Sequence, residues 1–131
     1  LNEAVRSLCA STSVPTTFTS TMIGRLPEPL ETALYFAAAE LVTNAVKHAN
    51  AQNITVSITQ GKSLIMLEVQ DDGTGGIPQD ALGSKASGGL EGVRRRLATF
   101  DGEMFVSSPA EGPTSVRTIV PYAAPTAEQN S

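Results

Sequence analysis

A stripe of four different polar side chains interrupts an apolar stretch of the sequence at 40–48. Glu40 and Asn44 are four residues apart, which places them on one face of a helix, and Lys47 and His48 continue that face one turn later. A carboxylate can accept a proton, an amide oxygen can bind a hard cation such as Mg²⁺, and a lysine can meet a phosphate. The alternative is a plain solvated helix face, which taken alone is the more frequent origin of such a stripe.

A second group of candidate residues is the Asp-Asp-Gly-Thr-Gly-Gly segment at 71–76. In the strand predicted before it, side chains alternate between faces, so Asp71 extends the apolar face and Asp72 points toward water. A carboxylate on the core side is unfavourable unless it meets a donor, and the exocyclic amino group of a purine is such a donor. The glycines that follow allow a backbone to approach a ligand closely. A common Asp-Gly turn is the alternative.

The third group is Ser-Gly-Gly-Leu-Glu-Gly at 87–92, which leads into a predicted helix. A glycine-rich loop followed by a helix N-terminus can bind phosphate through backbone N–H groups and the helix dipole. Short glycine motifs are weak evidence alone. The sequence contains neither a Gly-x-x-x-x-Gly-Lys-Ser/Thr loop nor Gly-x-Gly-x-x-Gly directly after a strand. A nucleotide would therefore have to be bound by a motif other than these two.

Hydrophobic periodicity predicts the elements that must position these groups. We predict helices over 1–10, 29–49 and 90–100, and strands over 16–21, 54–59, 65–70, 104–107 and 115–120. The Gly-, Ser- and Pro-rich segment at 72–89 is long for a connection, which indicates a functional loop or a floppy one. We interpret the basic run at 94–96 as a solvated helix face, with phosphate or partner contact as the alternative.

Composition narrows the class of protein. The 131 residues suit one domain, and 40% hydrophobic residues with 17% charged residues predict a globular fold. The net charge of −4 argues against nucleic-acid binding. Cys9 is the single cysteine, so no disulfide can form within the chain, and no Cys/His cluster has zinc-site spacing. No apolar run is long enough to cross a membrane, so we expect no direct membrane insertion by this domain. The single cysteine fits a reducing compartment, which agrees with an expected cytoplasmic location.

The order and spacing of the three groups together resemble one ATPase superfamily, shared by sensor histidine kinases, gyrase, mismatch-repair ATPases and related chaperones. The matching pattern is Glu40-x-x-x-Asn44, then Asp71-x-Gly73-x-Gly75, then Gly88-Gly89-Leu90-x-Gly92. The segment 35–51 is similar to the N box of short-lid, nitrate-sensor-like sensor kinases. The resemblance covers about residues 1–121, expected to be one catalytic domain, with 122–131 as a C-terminal tail. It implies an α/β two-layer sandwich, with a mixed sheet, helices on one face and an ATP lid loop.

The resemblance also implies a role for each matching residue. Glu40 would act as general base toward the attacking histidine, or orient it, and Asn44 would bind Mg²⁺. Lys47, with His48, would contact phosphate, and Asp71 would accept the adenine amino group. The remaining ATP-binding positions lie in the glycine-containing segments and at the start of the last strand: Gly73, Gly75, Gly88, Gly89, Leu90, Gly92 and Thr114.

The function implied by the resemblance is transfer of the γ-phosphoryl group of Mg-ATP to a histidine on a separate dimerisation domain of the same sensor kinase. A response regulator would receive the signal indirectly. No phospho-acceptor histidine motif is present, so we expect the isolated chain to bind ATP but to show little autophosphorylation. A serine kinase of anti-sigma-factor type and a non-catalytic nucleotide-binding module are the alternatives. Ser87, Pro113 and Gly76 depart from the family pattern, and these departures affect the expected closing geometry of the lid and the turnover rate more than binding. Ser87 and Pro113 keep the non-catalytic alternative open.

Overall fold

The computed structural model describes residues 1–21, 26–48, 52–73, 90–107 and 113–122. In chain order the elements are α1 (Asn2–Ala10), β1 (Thr16–Ser20), α2 (Glu28–His48), β2 (Ile54–Gln60), β3 (Leu64–Asp71), α3 (Leu90–Ala98), β4 (Glu103–Ser107) and β5 (Thr114–Pro121). Every helix and strand predicted from periodicity is present, and the bounds differ by one or two residues. Most of the predicted 72–89 loop, from residue 74 onward, lies outside the described residues, as does the tail after residue 122.

The strands of the described chain form one mixed sheet in the order β1-β2-β3-β5-β4. β1 runs parallel to β2, with α2 as the crossover between them, and the other neighbours are antiparallel. β3 pairs with β5 from Leu64 opposite Pro121 to Asp71 opposite Thr114. This register brings the carboxylate of Asp71 and the hydroxyl side chain of Thr114 to neighbouring positions at one end of the sheet.

The hydrophobic core lies between one face of this sheet and the helices. Alternate residues of β2 and β3 are buried, as the period of two requires, and the apolar stripe of α2 packs against them. α3 adds Leu90, Val93 and Leu97, each at most 3% exposed. The predicted two-layer α/β sandwich with helices on one face of a mixed sheet is confirmed. No helix in the described ranges is both long and apolar enough to span a bilayer.

The start of α2 is held by backbone and side-chain hydrogen bonds. The carbonyl of Pro27 accepts from the N–H groups of Leu30 and Glu31, both at 3.0 Å. The Glu31 carboxylate, 7% exposed, accepts from the Leu26 N–H at 3.0 Å. A carboxylate in the first turn also suits the positive end of the helix dipole. These contacts fix where the helix carrying Glu40 begins.

The basic run of α3 is exposed, as its predicted role of solvated face requires. Among the described residues, the ion pairs of Arg94 and Arg95 are long ones with Glu91, at 3.7 and 3.9 Å. Arg96 differs, because its guanidinium lies 4.9 Å from the centroid of the Phe36 ring on α2. This contact joins α2 and α3, and no local pattern in the sequence predicts it.

We expect Arg96→Ala to lower the free energy of unfolding by about 0.5–1 kcal/mol, the typical contribution of a cation on a partly exposed ring. Phe36 is 47% exposed, which places the pair in the weaker part of the range for such contacts. Arg95→Ala is the matched control and is expected to change stability by less than about 0.5 kcal/mol, because exposed ion pairs contribute little. Urea unfolding of both variants measures the difference. Equal losses in the two variants would show that the Phe36 contact contributes nothing.

Candidate functional site

The polar stripe of α2 occupies a different face from the residues that α2 buries in the core. Glu40 and Lys47 are exposed and Asn44 is half-buried, whereas Leu41 and Val42 are at most 2% exposed. The side chains of Glu40 and Lys47 are therefore available to a ligand or partner. His48 ends α2, and its side chain lies outside the described residues.

The Asn44 amide is the unusual group on this face. Its nitrogen is buried, and within the described ranges it has no hydrogen-bond partner. A buried donor left unpaired is unfavourable by roughly 1–3 kcal/mol, so such a group in a native fold needs an explanation. A ligand beside α2 supplies one, since the amide offers both a donor and a hard oxygen acceptor.

Asp71 is the buried carboxylate of the site. It ends β3, is 5% exposed, and lies on the face that β3 turns toward the core, which confirms the predicted alternation. The Gly73 N–H donates to its Oδ1 at 2.8 Å, and the Thr114 backbone also hydrogen-bonds to the carboxylate. Burial raises the pKa of Asp71 above its ordinary value of 3.8; the Gly73 bond opposes that rise and the charge of Asp72 adds to it. The result is an oriented acceptor in a poorly solvated position.

Asp72 has a role that the sequence analysis missed. It is exposed, as predicted, yet its Oδ1 accepts from the backbone N–H groups of Gln52 and Asn53 at 2.8 and 2.9 Å. Its Oδ2 accepts from the Asn53 side-chain amide at 3.1 Å. These bonds, those from Asn53 first, hold the pKa of Asp72 below its ordinary value. No local sequence signal identifies Gln52 and Asn53 as partners, because the pairing of β2 with β3 brings them there.

Comparison with known proteins identifies a family that shares this fold. The family described as histidine kinase-, DNA gyrase B-, and HSP90-like ATPase matches residues 30–124. The chain belongs to this ATPase family. DegS of Bacillus subtilis, a signal transduction histidine-protein kinase/phosphatase, is 35% identical over 85 residues, which are 64% of this chain and 22% of DegS. The nitrate/nitrite sensor protein NarX of Escherichia coli is 33% identical over 79 residues, 60% of this chain and 13% of NarX.

Solved structures support the same assignment at the level of the fold. The catalytic domain of the histidine kinase ThkA matches with a TM-score of 0.73 at 17% identity, over 94% of this chain and 93% of that chain. The resemblance to histidine kinase catalytic domains, first read from the spacing of three motifs, is therefore confirmed. The chain spans less than a quarter of the length of DegS or NarX. The bounds of 1–121 for the domain and 122–131 for the tail stay predictions.

The other residues predicted to bind ATP lie beside Asp71, at the start of α3, or outside the described residues. Thr114 is 4% exposed beside Asp71, and Gly73 is buried after it. Leu90 begins α3 with its side chain 2% exposed in the core, so a predicted contact of Leu90 with ATP would have to come from its backbone. A methyl group on Gly92 would meet no described atom within 4 Å, so packing among those residues does not require glycine there. Gly75, Gly88 and Gly89 lie outside the described residues, as do Gly76 and Ser87.

Proposed function

We propose that this chain is the ATP-binding catalytic domain of a sensor histidine kinase. In this proposal it binds Mg-ATP and transfers the γ-phosphoryl group to a histidine on a separate dimerisation domain of its parent protein, in the cytoplasm, for later transfer to a response regulator. The observation that carries the proposal is the buried, oriented carboxylate of Asp71 in a fold of the histidine kinase type. The names of DegS and NarX support the same function.

Asp71 gives the proposed site a preference among purines. One carboxylate oxygen is engaged by the Gly73 N–H, which turns the group so that it can accept a further hydrogen bond. Adenine presents an amino group and satisfies this acceptor. Guanine presents a carbonyl oxygen at the same ring position, which would leave two acceptors facing each other in a buried place. Sites built to bond one polar group reject analogues that lack it, because their own buried groups are left unpaired.

Asn44 is the residue that would hold Mg²⁺. No group of three or more His, Cys, Asp and Glu side chains in the described chain could form a protein cage for a metal. Mg²⁺ commonly needs none, since it binds one or two protein oxygens together with phosphates and water. The side-chain oxygen of Asn44 would be such a ligand, and the buried Asn44 nitrogen, which has no described partner, would donate to a phosphate oxygen. The ion would neutralise charge on the phosphates, and Lys47 on the same face of α2 would add a second positive charge.

Glu40 would act on the incoming histidine. It lies one turn before Asn44 and is exposed, so an imidazole carried by another domain can reach it. The carboxylate would accept a hydrogen bond from one imidazole N–H, which leaves the lone pair of the other nitrogen free to attack the γ-phosphorus. The bond between that phosphorus and the bridging oxygen breaks, and ADP leaves. Most of the catalysis would come from this positioning.

Calorimetric titration of ATP with and without Mg²⁺ tests the proposed site. We expect Mg²⁺ to strengthen binding to the wild-type chain, and Asn44→Ala to remove most of that gain, about tenfold for a lost ligand contact. Binding of ATP without Mg²⁺ should change little. Thr43→Ala, an exposed neighbour on α2, is the control and should behave as wild type.

The outcomes of this titration separate the parts of the proposal. Absence of ATP binding to the folded wild-type chain would contradict the nucleotide site as a whole. A full Mg²⁺ effect in Asn44→Ala would remove Asn44 from the metal. Mg²⁺-dependent binding without transfer to a supplied histidine domain would indicate the non-catalytic module instead.

A further inference from the structure

Asp72 joins two segments that are distant in sequence. Besides the three bonds to its carboxylate, its backbone N–H donates to the Asn53 carbonyl at 3.2 Å. The last β2–β3 pair is Ile54 opposite Asp71, so these bonds continue the ladder one step beyond the regular strands. The Asp72 side chain therefore closes the end of the sheet at which Asp71 lies.

The segment held by Asp72 comes shortly after the phosphate-binding helix of the proposed site in the sequence. Four Cα steps separate His48 at the end of α2 from Gln52, a reach of at most about 15 Å. Asp72 also follows Asp71 directly in the chain. Hydrogen bonds to one side chain thus connect the adenine end of the proposed pocket, at Asp71, with the start of β2, the strand that follows α2 in the chain. α2 also packs directly against β2 and β3, so the Asp72 contact acts together with that packing.

We propose that Asp72 is a positioning residue that sets the separation between the adenine-binding end of β3 and the phosphate-binding end of α2. This inference rests on the proposed function. Asp72 is exposed and turned toward residues 52 and 53, so it would act on the nucleotide through the positions of Asp71 and of the segment that enters β2. A ligand that spans both ends of the pocket needs the separation to be correct, whereas a ligand confined to the adenine end does not.

The test compares AMP with Mg-ATP, because AMP lacks the terminal phosphates that reach α2. We expect Asp72→Ala to weaken Mg-ATP binding about tenfold and AMP binding less than about threefold, as measured by calorimetry. The ratio of the two affinities should fall accordingly. Asp72→Asn is the matched control: it removes the same charge but keeps an Oδ1 that can accept from Gln52 and Asn53. Its affinity ratio should stay within about twofold of wild type.

Thermal unfolding of each variant shows whether a change in binding comes from lost structure. A lower unfolding temperature for Asp72→Ala with an unchanged affinity ratio would overturn the proposal, because Asp72 would then serve stability alone. Equal ratios in Asp72→Ala and Asp72→Asn would overturn it as well, since charge and not hydrogen bonding would be responsible. If Asp72→Ala does not fold, Asp72→Ser, whose hydroxyl can replace only part of the network, takes its place with the same expected fall. Failure of the wild-type chain to bind AMP and ATP would refute the proposed function instead.

Discussion

Asp71→Asn is expected to weaken ATP binding by about 100-fold or more, the largest effect on affinity of any single change in this chain. The oxygen of the introduced amide can keep the bond from Gly73, which turns the amide nitrogen toward the place of the second carboxylate oxygen. Two amino groups, one of the protein and one of adenine, then face each other in a site where the native side chain is 5% exposed. Loss of a charged hydrogen bond together with an unpaired buried donor accounts for a loss of this size.

The same substitution is expected to leave the ligand-free domain as stable as wild type, or more stable, at neutral pH. Because burial raises the pKa of Asp71 in the folded state above the unfolded value, the fold favours its protonated form. Asp71 therefore contributes stability below its unfolded pKa and loses that contribution as pH rises through the folded pKa. Asparagine removes the charge and with it the dependence. A stable fold that cannot bind ATP would separate the role of Asp71 in binding from any role in folding.

Calorimetry and thermal unfolding across a pH series check both parts of this prediction. In the wild type, ATP binding should weaken on acidification from above pH 3.8, since a protonated Asp71 loses acceptor strength. Glu103→Gln removes an exposed carboxylate from β4 and is the charge control, expected to change neither binding nor its pH dependence. Unreduced ATP affinity in Asp71→Asn would exclude Asp71 from the adenine site. A marked fall in its unfolding temperature at neutral pH would contradict the stability argument.

Glu40→Gln is expected to slow phosphoryl transfer to a supplied histidine domain by about 10²- to 10⁴-fold, the usual contribution of a positioned general base. Gln keeps the size and hydrogen-bonding reach of the side chain but not its charge, so it polarises an imidazole N–H weakly. ATP affinity should change less than about threefold, because Glu40 is exposed toward the incoming domain and has no proposed contact with adenine or Mg²⁺.

Single-turnover transfer of labelled phosphate from bound ATP to the histidine domain measures the chemical step apart from binding. Glu28→Gln, an exposed carboxylate at the start of the same helix, is the control and should transfer at the wild-type rate. Normal transfer by Glu40→Gln would assign the base to another group. A loss of ATP binding of the same size as the loss of transfer would make Glu40 a nucleotide-binding residue.

The features that follow from local periodicity were predictable from the sequence. α2 was predicted because its apolar residues recur at helical spacing after Pro29, and its polar stripe was predicted by the same count. The buried position of Asp71 followed from a period of two along β3. Neither inference requires knowing which helix or strand packs against α2 or β3. The order and spacing of the three motifs then indicated the family, since each motif alone also fits a common turn or a solvated helix.

Contacts between distant segments were not predictable in this way. The strand order β1-β2-β3-β5-β4 depends on which strands pair with each other. The alternation of residues along one strand does not identify its neighbour. Asp72 was correctly assigned to solvent, but its bonds to Gln52 and Asn53 arise from the register of β2 on β3. The stacking of Arg96 on Phe36 likewise requires the packing of α3 against α2.

The amino-acid sequence was therefore enough to place the elements, the faces of α2 and β3 that carry Glu40, Asn44 and Asp71, and the family to which those residues belong. Folding in three dimensions was needed to establish that Thr114 lies beside Asp71, that the Asn44 amide nitrogen is buried without a described partner, and that Asp72 accepts hydrogen bonds from Gln52 and Asn53. The two kinds of feature differ in the sequence separation of the residues that determine them. Side-chain direction is set by backbone geometry within a few residues, whereas burial and hydrogen-bond partners at a site depend on chain segments brought together only by folding.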